Sequence, residues 1–296
     1  DFWDYIRLEV FEGLIHAMYG KLPYPTNPNK LKAVYDLIRY YLKGLYDVFQ
    51  PSKKYDFFII NYSRTNIINS KEVNIHMHYF SKLVDKYNIL LIDPYDVVKQ
   101  KSSYPCDVYS ARPMYLFARF KSMFTRFNDI EKSYLNNLSI KIKNRFNVDL
   151  NVFKLAQNTF AYQIALEQKY TQLFKKFKPR LILYCDNGSM RGISKAAHKL
   201  NIVRIDFQHS LISFMNILYN YPKSVIPNTK ATNPDYMFTF GSFWHQNIKT
   251  VSKIIPIGFP YLENEKRKLN IVDLEKREKS ILIISTLIGN AKAVLV

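Results

Sequence analysis

A chain of 296 residues, 48% hydrophobic and 23% charged, carries enough apolar material for one large core or two smaller ones, which excludes a disordered protein. Its 43 Lys and Arg against 24 Asp and Glu leave a formal charge of +19, so its surface should attract phosphate-rich partners: nucleotide-sugars, anionic headgroups, acidic glycans or nucleic acid. Cys106 and Cys185 stand far apart with no CxxC pair, which argues against a disulfide framework and a zinc site and fits a reducing cytoplasm.

No apolar run reaches the length that spans a bilayer, and the opening DFWDYIRLEV is an amphipathic pattern, not a signal peptide. Trp3, Ile6, Val10, Leu14 and Met18 recur at three- and four-residue steps and predict one helix. Leu31, Val34, Ile38, Tyr41, Leu42, Leu45 and Phe49 predict a second, after the proline-bearing loop LPYPTNPN. Residues 1–50 are thus a helical N-terminal segment, expected to pack on the following sheet; a membrane surface or a dimer partner is the other way to cover it.

Residues 56–61 (DFFIIN) predict the first buried strand, with Arg64 in the polar stretch at its end. A helix over 76–86 and a strand over 88–92 follow, closed by Asp93-Pro94-Tyr95-Asp96. Residues 97–128 mix aromatics with Arg at no clean period and are assigned only partial helix. Two longer helices span 129–145 and 151–177, the second with a basic end (Lys175, Lys176, Lys178) that suits the negative end of the helix dipole.

Residues 180–212 organise the rest. A buried strand (181–185), a polar turn (186–189), a helix (190–200) and a second strand (203–207) make a β-α-β unit, the repeat of a parallel sheet covered on both faces. In such sheets the ligand crevice lies beyond the carboxyl ends of the strands, so Asp186-Asn187-Gly188 and Gln208-His209-Ser210 should share one rim. Further strands are predicted over 236–240 and 254–257. Residues 263–279 then read as a charged linker, and 280–285 (SILIIS) as a new buried strand that predicts the start of a second domain, cut short by the end of the chain.

Asp186-Asn187-Gly188 before a helix, the strand ending in Gln208-His209, Phe240-Gly241-Ser242-Phe243-Trp244, Ile257-Gly258-Phe259-Pro260-Tyr261 and the linker into Ile281-Leu282-Ile283-Ile284-Ser285 together resemble bacterial GT-B glycosyltransferases of capsule and O-antigen biosynthesis. The resemblance covers residues 56–285 and implies two Rossmann-like domains facing a cleft. Residues 51–262 would be the acceptor domain, and 280–296 the first part of a nucleotide-sugar-binding domain. It also implies a nucleotide-sugar donor, an oligosaccharide or lipid-linked acceptor, no cofactor, and work in the cytoplasm, with peripheral contact to the anionic inner membrane face. Polysialyltransferase-like enzymes are similar in placing an acidic pair before Gly, the second acid acting as base. Asn187 occupies that second position here, which leaves the role to Asp186.

Inverting glycosyl transfer needs a base for the acceptor hydroxyl and something to steady the departing phosphate. Asp186 is the candidate base, and an Asx turn or a helix cap is its structural alternative. His209 stands for the alternative base, an acid, a phosphate ligand or an acceptor contact, against a satisfied core histidine. Gly188, Ser189 and Arg191 at a helix start offer an anion cradle, and Arg64 a partner for an acidic acceptor. Asn187, Gln208 and Ser210 complete the rim. His76-x-His78 lacks further ligands for a metal, and neither DxD, GxGxxG nor GxSxG occurs. Two other readings stay open: a teichoic-acid-type transferase of glycerophosphate or another phosphopolyol, and a non-catalytic module binding acidic glycan, lipid surface or, least well supported, nucleic acid.

Overall fold

The computed structural model describes residues 2–19, 38, 53–61, 65–68, 71–94 and 104–268. Seven strands, β1 (Phe57–Ile60), β4 (Ile89–Asp93), β5 (Asp107–Ser110), β6 (Leu181–Tyr184), β7 (Val203–Phe207), β8 (Tyr236–Thr239) and β9 (Lys253–Pro256), form one parallel sheet in the order β5-β4-β1-β6-β7-β8-β9. A separate antiparallel pair joins β2 (Thr65–Ile68) to β3 (Lys71–Asn74). The chain builds outward from β1 through β4 to β5, then returns to β1's other side with β6 and continues to β9. Strand order therefore reverses between β1 and β6, the position at which open α/β sheets form a crevice beyond their carboxyl ends. This is the Rossmann-like α/β architecture that the apolar runs predict.

Among the described residues, the longer helices that flank the sheet or extend it are α1 (Phe2–Tyr19), α2 (Arg112–Ser122), α3 (Asp129–Phe146), α4 (Val152–Phe177), α5 (Arg191–Lys199) and α6 (Pro260–Lys268). Among the described residues, no helix is long and apolar enough to cross a membrane. One sheet face presents Phe58, Ile60, Leu90, Ile92, Ile182 and Tyr184 to Leu166, Tyr170 and Phe174 of α4 and Ile193 and Ala197 of α5. The other presents Ile59, Leu91, Leu183, Cys185 and Phe207 to Val73, Met77 and Phe80. Alternation along each strand sends odd and even residues to different cores.

α4 ends at Phe177, just before β6 begins, so its last turns lie beside the amino ends of the strands. Gln163 is already level with the loop that leaves β6: its amide accepts from Gly192 N at 2.8 Å and donates to Ser189 O at 3.2 Å. The stretch from Gln163 back to Val152 projects roughly 16 Å beyond the carboxyl rim at 1.5 Å per residue. There α1 and α3 close a third core of Tyr5, Ile6, Val10, Leu135, Ile142, Val152 and Ala156, with Phe127. α1 thus packs, but on α3 and α4 and not on the sheet that the sequence predicts as its partner.

Gly192 lets α5 come this close to α4. A Cβ there would lie 2.2 Å from the main-chain oxygen of Gln163, which no rotamer change can relieve. Gly192→Ala is expected to cost about 1–3 kcal/mol or more, since the helices must separate along a shared core; the shift of a urea unfolding curve measures it.

Several elements differ from expectation. The helix predicted over 76–86 is one short turn, His78–Ser81, continued as a 3-10 turn, Lys82–Asp85. β5 and α2 occupy the stretch that had no clean period, and α6 covers the start of the predicted charged linker. The helix expected around Leu31 to Phe49, Arg64, the rest of the linker and the predicted second-domain strand lie outside the described residues.

Candidate functional site

β6 delivers its turn onto the rim beside the crevice. Asp186 takes a left-handed backbone (φ 63°), a conformation that Asp tolerates better than most residues, and its carbonyl accepts Ser189 N at 3.1 Å. Asn187 O accepts Met190 N at 3.2 Å, so the turn tightens directly into α5. Such strain persists where surrounding structure fixes it. Here α1 supplies that structure: a Cβ on Gly188 would meet Leu218 Cδ2 at 2.5 Å and Leu8 Cδ2 at 3.1 Å.

The predicted site residues separate into two sets. Asp186, Ser189, His209 and Ser210 are partly exposed on the rim, whereas Asn187, Gly188, Arg191 and Gln208 are buried. Asn187 donates to Asn233 Oδ1 at 2.7 Å and accepts the Tyr184 hydroxyl at 3.3 Å. Gln208 ties the exits of β7 and β8 together, accepting Phe240 N at 2.8 Å and donating to Ser210 O at 2.9 Å. Arg191, expected in an anion cradle, is 1% exposed and turned inward: Nη1 donates to Asp4 Oδ1 at 2.6 Å and to the Tyr221 hydroxyl at 2.9 Å. An anion from solvent does not reach it, and Gly188 is covered by α1 and Leu218. The cradle is therefore a folding device that fastens α1 over the turn.

Further carboxyl groups surround Asp186. Asp206, on β7, is fully buried; burial first, then the neighbouring Asp186 charge, holds its proton well above the usual carboxylate range, opposed by the Tyr219 hydroxyl and the Asn187 amide. Glu9 of α1 is pushed up to about 7, chiefly by burial and further by Glu12 and Asp186, while Arg191 pulls the other way. Glu12, although its side chain is exposed at the surface, is also raised, first by partial desolvation and further by Asp186, with His16 opposing. Three separate segments thus bring Glu9, Glu12 and Asp206 each within electrostatic reach of Asp186. Glu9, with its pKa at about 7, can hold or release a proton near neutral pH, the condition for acid and base work.

The sequence held a signal for two of them. Asp206 interrupts the apolar run VRIDF of a buried strand, and Glu9 sits between Ile6 and Val10 on the packed side of α1. His76, by contrast, is core: 3% exposed, its ring is stacked 5.2 Å from that of Phe259. Among the described residues, no group of three or more His, Cys, Asp or Glu is arranged to hold a metal ion.

These shifts fix a pH dependence. A carboxyl whose folded pKa exceeds its unfolded value keeps its proton in the native state while the unfolded chain loses it, so stability falls as pH rises through that window. For Glu9 the window runs from 4.5 to about 7, and Asp206, raised well above its ordinary value by burial, acts in the same direction. The protein is expected to melt at a higher temperature at pH 5 than at pH 8 as far as these groups decide it, and Asp206→Asn should reduce that difference. Thermal melts at both pH values check this. No protein-family model and no curated protein matches the chain.

Proposed function

We propose that this chain is the acceptor side of a GT-B-type glycosyltransferase that moves a sugar from a nucleotide-sugar to a growing bacterial surface polysaccharide, with inversion and without a metal, at the cytoplasmic face of the membrane. The observation that carries the reading is Asp186 on the carboxyl rim of a parallel sheet with a central switch point, with Glu9, Glu12 and Asp206 each within its electrostatic reach. Oxygen-rich acceptors are held at such rims, and an attacking hydroxyl needs a carboxylate beside it.

In this mechanism the acceptor hydroxyl lies over Asp186, which takes its proton as the oxygen attacks the anomeric carbon. The bond from that carbon to the nucleoside diphosphate breaks, and the leaving group departs with the electron pair. Glu9, with a pKa near 7, accepts or returns the proton between turnovers. Partly exposed His209, at the exit of β7, is placed to steady the leaving phosphate. The donor's nucleotide is held by a nucleotide-binding domain facing this rim.

Acceptor-dependent release of nucleoside diphosphate, assayed with the full-length protein and a panel of nucleotide-sugars, tests the reading. Turnover of a sugar donor supports it. Turnover confined to a nucleotide-activated polyol phosphate would replace sugar transfer by phosphopolyol transfer, and binding of acidic glycan with no turnover of any donor would leave a binding module.

A further inference from the structure

We propose that the segment from the end of α2 to the first turns of α3 is a docking surface for an anionic lipid bilayer. Phe120, Met123, Phe124, Ile130 and Tyr134 are 51%, 65%, 67%, 83% and 58% exposed. Scattered apolar exposure is ordinary, but five large side chains within one short stretch are not. The Phe120 and Phe124 rings meet edge-on at 5.0 Å, so the cluster is preformed. Ile130 and Tyr134 are one helical turn apart and share a face. Between the two groups, buried Phe127 packs on Phe153 and Phe160 and anchors the segment to α4.

Charge chooses the occupant. From Arg112 to Arg126 the chain carries four cations, Arg112, Arg119, Lys121 and Arg126, and no acid. Lys121 and Arg126 are exposed among the aromatic side chains. Asp129 and Glu131 follow in the first turn of α3. Asp129 pairs with Lys132 at 3.1 Å, and Glu131 is used in the capping box with Asn128. Exposed aromatic and aliphatic side chains interleaved with Lys and Arg fit the interface of an anionic bilayer, where the apolar groups enter the headgroup layer and the cations meet lipid phosphates. Lys121 donates to the neutral Gln168 Oε1 at 2.5 Å, and a neutral protein surface would offer Lys121 and Arg126 no counter-charge.

The position suits a protein acting on membrane-borne material. α2 runs antiparallel to α4: Tyr115 meets Tyr170 with hydroxyls 3.2 Å apart, Arg119 lies 4.7 Å from the Tyr162 ring centre, and beyond the helix Phe127 reaches Phe160 and Phe153. The far end of α2 therefore travels with the first half of α4, past the carboxyl rim. The docking surface and the acidic rim share one end of the sheet, although the docking argument holds whatever chemistry the rim performs.

Co-sedimentation of the full-length protein with vesicles of phosphatidylcholine, with and without about one-third phosphatidylglycerol, tests this. Binding is expected only with the anionic lipid and should weaken as salt rises. Phe120→Ser, Met123→Ser and Phe124→Ser combined should lower it about tenfold or more, and Lys121→Glu with Arg126→Glu should lower it similarly, both with unchanged thermal melts. Equal binding to neutral vesicles, no binding to either, or undiminished binding by the triple variant overturns the proposal. So does self-association without vesicles that the triple variant abolishes, which would assign the surface to a second copy. Binding of duplex DNA in preference to vesicles, lost in the charge-reversal pair, would assign it to nucleic acid.

Discussion

Asp4→Ala is expected to cost the fold about 3–5 kcal/mol, because it leaves buried positive charge without its partner. Asp4 is 6% exposed and accepts from Arg191 Nη1 at 2.6 Å and from the Thr232 hydroxyl, with Arg7 Nε 3.7 Å away. Arg191 is 1% exposed and Arg7 is 7% exposed. Arg7 bonds the carbonyls of Ile217 and Asn220 and lies over the Tyr221 ring at 3.5 Å. The carboxylate is thus the common counter-charge for two guanidinium groups that join α1, the start of α5 and the loop before β8. Removing it strands both in a low-dielectric interior. A urea unfolding curve should show the loss, and Asp4→Asn, which keeps the hydrogen-bond acceptor, should lose less. Combining Asp4→Ala with Arg191→Met should recover part of the stability, since an apolar side chain no longer needs the counter-charge.

Glu9→Gln and Asp186→Asn are each expected to lower kcat by about 10²–10⁴ with little change in KM, because both remove proton acceptance and not substrate contact area. The two variants are nearly isosteric, so packing under α1 stays intact. Glu9→Gln carries a second signature of opposite sign. Burial and neighbouring carboxylates push the Glu9 pKa up to about 7, so ionising it at higher pH opposes folding. The glutamine variant should therefore be more stable than the parent at pH 8 while being far less active, the trade expected of a residue kept for chemistry. Equal losses of stability and activity would point to a structural role instead. Melting temperature and kcat measured on the same preparations separate the two.

The sheet was legible because its strands are nearly all apolar. FFII, ILLID, LILY and VRIDF sit where short buried runs place them, and the β-α-β unit around Asp186 lies within a residue or so of its predicted bounds. β5 and α2 were not legible, since β5 is a partly exposed edge strand with Asp107, Tyr109 and Ser110, and α2 with the turn after it leaves Phe120, Met123 and Phe124 in solvent. Pattern arguments assume that apolar means buried, and α2 breaks that assumption. Of the rim residues, Asp186, Ser189, His209 and Ser210 are where strand ends should put them. Arg191, Asn187 and Gln208 are polar residues with buried partners from distant segments, Asp4, Asn233 and Phe240, which local spacing cannot reveal. The apolar setting of Glu9 was a signal without a partner, and Glu12 gave none, because only tertiary packing brings α1 onto the β6 turn.

The pH dependence of acceptor-stimulated kcat/KM, compared between the parent protein and Glu9→Gln, tests the acidic rim most directly. The parent should lose activity as pH falls through about 7, where Glu9 becomes protonated, and the glutamine variant should show a low rate without that limb. An identical limb in both proteins, at parental rates, would contradict a catalytic role for the carboxyl cluster between α1 and the carboxyl ends of β6 and β7.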